Sequence, residues 1–149
     1  MSSLPGRQSA FGAAARRHYD DAVHLCEHSR HASADHLSGF AAECALKDLL
    51  VGFLGARVPE RGGPPQDQAG TSYGHLPQLW SQVQVTAGGR VGAQFLSLLA
   101  GDNPFGDWDV SDRYADGSAI TAQRAWQHIR AANRLLTVQQ KARLRGAIS

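Results

Sequence analysis

One segment constrains the fold more than any other. Between 34 and 54 apolar residues recur on nearly every side of a helical wheel: Leu37, Phe40, Ala41, Ala42, Cys44, Ala45, Leu46, Leu49, Leu50, Val51 and Phe53. At ~100° per residue these side chains surround a helix instead of lining one side of it. A helix that is apolar all round has to be buried on all sides. The chain is therefore expected to be an all-α, up-and-down bundle of four to five helices, with this segment at its centre. Ser33 is the expected N-cap and Gly55 the expected C-terminal stop. The polar exceptions carry information. His36, Glu43 and Lys47 fall within ~40° of one another on the wheel, while Asp48 stands apart among the apolar positions.

The neighbours of this helix can be read on either side. Over 8–29, Phe11, Ala15, His18, Ala22, Leu25 and Cys26 recur at three- and four-residue steps, which is one buried stripe of an amphipathic helix. His18 on that stripe reads as a satisfied core histidine. A Gly- and Pro-rich loop over 56–74 is expected to be loose. A short helix over 76–84, with Pro77 in its first turn, turns Leu76, Leu79, Trp80 and Val83 inward. Gly88 and Gly89 interrupt it, and a further helix is expected over 90–100. Residues 102–117 form an acidic loop that also holds Phe105, Trp108 and Tyr114, so it is expected to pack on the domain. The last helix, over 119–145, has Ala122, Ala125, Trp126, Ile129, Ala132, Asn133 and Leu136 as its inner stripe. With 149 residues, one domain accounts for the whole chain.

Charge is small in sum and uneven in place. The net charge is +2. Asp102, Asp107, Asp109, Asp112 and Asp116 crowd one loop, no acid follows Asp116, and Arg124, Arg130, Arg134, Lys141, Arg143 and Arg145 come after it. Such a basic helix suits nucleic acid, although its arginines spread around the wheel, and the preceding acids offer internal compensation. No apolar run approaches the ~20 residues of a membrane span. No apolar leader is readable at the N-terminus. Cys26 and Cys44 lack metal or disulfide spacing and read as small buried hydrophobes, which suits a cytoplasmic protein.

Several polar groups are chemical candidates. His24, Glu27 and His28 have the His-x-x-Glu-His spacing of a zinc helix, and His128 is a conceivable third ligand across the bundle. The pair lies off the packing stripe, so no metal site is expected. Glu43 and Lys47, spaced i,i+4, read as a surface ion pair or as part of a polar groove with Lys47 on a phosphate. Arg113 stands alone among the acids near a helix start, where anions are favoured; it reads as a phosphate ligand or as the ion-pair partner of Asp109, Asp112 or Asp116. Trp108 and Tyr114 are placed either to stack on a base or to close the core.

Three motifs carry a family resemblance. The run ADHLSGFAAECALKDLL at 34–50 resembles the second helix of HEPN domains (higher eukaryotes and prokaryotes nucleotide-binding). The run GHLPQL at 74–79 is similar to that family's His-x-Leu helix start. DRYAD at 112–116, followed by a long Ala-bearing helix, resembles its Arg-Tyr-Pro-Asp turn, with Ala115 in place of Pro. The resemblance covers about residues 10–138. It implies a helical bundle, a homodimer, and either a ribonuclease toxin paired with a nucleotidyltransferase-like protein or a non-catalytic binding module. The family's ribonucleases carry Arg-x4-6-His near the start of the last helix. Here no His follows Arg113 at that distance, Arg124 and His128 are one residue too close, and Arg30 with His36 lies on the second helix.

The expected function is thus a non-catalytic HEPN-like binding or interaction module, in a toxin–antitoxin or defence setting. It would engage a nucleotide or RNA phosphate through Arg113, Tyr114, Trp108, Lys47, Glu43 and His36, without a cofactor. An active metal-independent ribonuclease toxin is the alternative, and a metal-dependent bundle enzyme the second.

Overall fold

The computed structural model describes residues 10–88 and 93–146. They form an all-α bundle: α1 (Phe11–Glu27), α2 (His31–Phe53), α3 (Gln78–Gly88), α4 (Ala93–Leu99) and α5 (Ala122–Gly146), with a 3₁₀ turn at Val110–Tyr114 before α5. No strand occurs among the described residues; the loop between α2 and α3 contains only isolated bridges.

The central segment is where its composition demanded. Along α2, Ala41, Ala42, Ala45, Leu46, Leu49 and Leu50 are fully buried. α1 runs antiparallel to it: Gly12 faces Asp48, and His18 meets Phe40. α5 lies beside α2 and runs in the same direction, because Asp35 meets His128 and Asp48 meets Arg143. α3 packs on α4 and on α2. The apolar expectations for Leu76, Leu79, Trp80 and Val83 hold, and all four are buried.

Four local expectations change. α2 starts at His31, two residues before Ser33, and no side chain caps it; the tight link through Ser29, at φ 62°, brings α2 straight off α1. Its C-terminal end is as expected. Gly55 has φ 84°, a value that suits glycine, and Ala56 N–H donates to Leu50 O at 2.9 Å. α3 begins after Pro77 and runs further, to Gly88. Gly89 and 90–92 lie outside the described residues. The 56–74 loop is tied down, not loose. Arg57 and Gln66 exchange backbone hydrogen bonds at 2.9 and 2.7 Å, Asp67 accepts from Ala69 and Thr71, and buried Tyr73 bonds Thr86 at 2.7 Å. In α5 the inner stripe sits slightly round the wheel. His128, Leu135 and Gln139 are buried, while Ala122 and Asn133 are exposed.

The 102–117 loop packs on the bundle as expected. Phe105 and Trp108 are fully enclosed. Trp108 lies over Gly39, where any Cβ would sit 1.9 Å from the indole ring. Its Nε1–H donates to Asp35 O at 3.0 Å. Gly39→Ala is therefore expected to destabilise the protein by about 1–3 kcal/mol through overpacking, despite the better helix propensity of Ala. Urea unfolding reads this directly; an unchanged or raised midpoint would contradict the packing.

Candidate functional site

The N-terminal end of α2 and the segment leading into α5 enclose a cleft of about 460 Å³. Ala32, Ser33, Asp35 and His36 line one side, and Asp112, Arg113, Asp116, Gly117 and Ile120 the other. Close approach of the two walls depends on Gly117, which has φ 85° and would place a Cβ 2.6 Å from that of Ala32. The 23-residue α2, whose first turn borders the cleft, has no side-chain cap and no acid in that turn, so no side chain takes its leading N–H groups or offsets its positive end there.

Arg113 is exposed and forms no ion pair among the described residues. The expected acidic partners are occupied in part by their own loop. Asp109 accepts from Ser111 N–H and Oγ at 2.8 and 2.7 Å, and Asp116 from Ser118 N–H and Oγ at 2.9 and 2.8 Å. These bonds hold both carboxyls below the usual range. The Arg113 guanidinium rests over the ring of Tyr114, 4.8 Å from its centroid. Tyr114 is 78% exposed and stands beside the cleft, not in its lining.

His36 is half-buried against Trp108, with centroids 5.5 Å apart and planes at 20°, and against Phe40 edge-on. Burial lowers its pKa; Asp112 pulls the other way, and Arg113 adds to the lowering. The neutral imidazole is thus favoured at pH 7. Its Nδ1 is enclosed and has no hydrogen-bond partner.

The six expected site residues therefore divide. Arg113 and His36 share the cleft, with Tyr114 at its edge. Trp108, 1% exposed, has no face open to a base; it closes the core and backs His36. Glu43 and Lys47 are elsewhere and are not a surface pair. They lie 3.7 Å apart with side chains 4% and 11% exposed. The Glu43 carboxylate accepts from Leu76 N–H at 2.9 Å and meets His75 Nδ1 at 3.1 Å, so it anchors the entry to α3. His18 is not the satisfied core histidine expected, since its enclosed Nδ1 also lacks a partner. His24, Glu27 and His28 are exposed at the far end of α1, with the two imidazoles 4.3 Å apart. His128 is engaged elsewhere, and no group of three or more His, Cys, Asp or Glu is arranged to hold a metal among the described residues.

A polar cluster centred on buried His128 went unseen in the sequence. His128 Nδ1 hydrogen-bonds Asp35 Oδ1, and its Nε2 lies 2.8 Å from Asp107 Oδ1. Arg124 Nε pairs with Asp107 at 3.2 Å. An imidazole facing two carboxylates donates through both nitrogens only when protonated. Burial opposes that charge, but the hydrogen bonds and charges of Asp35 and Asp107 outweigh it and raise the His128 pKa. The cluster joins α2, α5 and the 102–117 loop behind the cleft.

Comparison with known proteins yields no match: no family model, no curated protein and no solved structure matches the chain.

Because its folded pKa is raised, His128 contributes stability that is complete below about 6.5 and lost as pH rises through the folded value. The stability gap between wild type and His128→Gln should accordingly be widest near pH 6 and narrow toward pH 9. A gap independent of pH would refute the imidazolium. His128→Leu, which leaves Asp35 buried without its partner, should cost about 3–5 kcal/mol at neutral pH.

Proposed function

We propose that the protein is a non-catalytic, HEPN-like binding module whose cleft takes a phosphate group of a nucleotide or of RNA. The carrying observation is the meeting of Arg113 with the uncapped start of α2 in one cleft. A guanidinium presents several fixed N–H donors to phosphate oxygens, and a helix N-terminus adds backbone donors and a favourable dipole. Exposed Tyr114, already flat beside Arg113, offers a ring on which a base stacks. The three motifs of the HEPN resemblance fall on α2, on the turn into α3 fixed by Glu43, and on the 3₁₀ turn before α5.

Titration with labelled mononucleotides and short single-stranded RNA reads the proposal. Binding is expected to weaken with salt. Arg113→Ala should cost on the order of tenfold in affinity, the equivalent of one charge-assisted phosphate contact. Tyr114→Ala should weaken nucleotides while leaving inorganic phosphate unchanged. No binding by the wild type, or equal binding by Arg113→Ala, overturns the reading.

A second reading, metal-independent RNA cleavage, has one observation in its favour. His36 shares the cleft with Arg113 although the two do not form the sequence motif of the family's ribonucleases. An imidazole kept neutral near pH 7 has the form a proton-abstracting base requires. RNA cleavage in the presence of a chelator that disappears in His36→Ala would establish this reading over the first. Intact RNA after prolonged incubation would dismiss it.

A further inference from the structure

The outer face of α5 carries charge that the fold does not use. Of its six cations, Arg124 pairs with Asp107 and Arg143 grips Asp48, with Nε 2.9 Å from Oδ2. The other four, Arg130, Arg134, Lys141 and Arg145, are exposed and take part in no ion pair among the described residues. The sequence scattered the basic residues round the wheel only because it counted the two that the fold consumes. At ~100° per residue the remaining four fall within ~60°, opposite the face buried by His128, Leu135 and Gln139. No acid follows Asp116 to offset them.

Their spacing has a form. Arg130 with Arg134, and Lys141 with Arg145, make two pairs, each spanning about 6 Å along the axis, with about 16 Å between pair centres. Thr137 is exposed between the pairs, at the edge of the stripe. No aromatic ring lies on this stripe; Trp126 is half-buried against Ala125 and Ile129. The scaffold is a 25-residue helix fixed to α2 at His128 and at Arg143.

We propose that this face docks on duplex RNA, with one cation pair on each phosphate rim of the wide, shallow groove. A helical face whose charges serve only solvation mixes both signs, whereas four uncompensated cations in a row fit a polyanion. Single-strand readers rely on aromatic platforms, which this stripe lacks. The A-form minor groove is wide and shallow and displays 2′-hydroxyls, so a helix crosses it without penetrating, and exposed Thr137 lies at the edge of the stripe between the two cation pairs, toward that hydroxyl-rich floor. The surface includes no residue named in the cleft, and the inference stands apart from the phosphate reading there.

The test uses the full chain and a labelled RNA duplex of about 20 base pairs, long enough for two groove crossings. The same RNA as a single strand, a DNA duplex of the same sequence and poly-glutamate complete the set. The wild type is expected to prefer the RNA duplex, with affinity falling steeply in salt. Replacing Arg130, Arg134, Lys141 and Arg145 together by Gln should cost on the order of 100-fold and lower the salt slope by roughly three. Should the fourfold variant fail to fold, the variants Arg130→Gln/Arg134→Gln and Lys141→Gln/Arg145→Gln give the same reading, each removing about half of the slope. The proposal falls if the duplex is not bound, or if the Gln variants bind it equally well. It also falls if single-stranded RNA, the DNA duplex or poly-glutamate binds as tightly as the RNA duplex.

Discussion

A carboxylate buried in a central helix has to find a partner, and α2 has three of them. Asp35, Glu43 and Asp48 are each less than 5% exposed. Each is satisfied by a different part of the chain. Asp35 takes His128 from α5, with the Trp108 indole on its backbone carbonyl. Glu43 takes the backbone of Leu76, His75 and Lys47. Asp48 takes Arg143 and Gln139 from the far half of α5, the latter at 2.7 Å. Apolar packing alone would let helices slide or rotate at small cost. Charged groups that are expensive to leave unpaired fix the register of α5 against α2 at two points and the entry of α3 at a third.

The cleft inherits its geometry from the first of these anchors. Asp35 precedes His36, and Asp107 precedes Trp108, so the cluster around His128 holds both the wall that carries His36 and the ring that backs it. Gly39 makes room for Trp108, and Gly117 lets the opposite wall come close. None of Asp107, His128, Gly39 and Trp108 has to touch a ligand for the distance between Arg113 and the start of α2 to depend on them.

How much of this was legible follows from what each residue needs. The helices were, because apolar periodicity is local: the burial of α2 and the inward sides of α1 and α3 follow from spacing alone. The presence of polar residues within α2 was legible too. Their partners were not. Glu43 and Lys47 have the spacing of a surface pair, and nothing local reveals that the turn at 75–76 closes over them. Asp48 looked isolated because Arg143 lies 95 positions away. His128 was missed for a different reason. The inner stripe of α5 was centred on apolar residues, while the buried face is held as much by His128 and Gln139 as by leucine. The cleft joins 32–36 to 112–120, so Arg113 and His36 were separate candidates until the fold made them neighbours.

The same accounting changes the meaning of the charge. A net of +2 in the sequence conceals which charges are already engaged. Asp107 is bound to His128 and Arg124, Asp109 and Asp116 cap turns of their own loop, and Asp48 holds Arg143. These four acids are thus consumed inside or within their own turns, whereas Arg113 and the four cations on the outside of α5 take part in no ion pair among the described residues. The charge presented to a partner is therefore more positive on the outer face of α5 than the total suggests. Desolvating a cation that already has an internal partner forfeits that partner, so a paired arginine is a poor ligand for phosphate. The unpaired ones carry no such cost, which is why Arg113 and the outer face of α5 are better candidates than the already paired Arg124, Arg143 and Lys47.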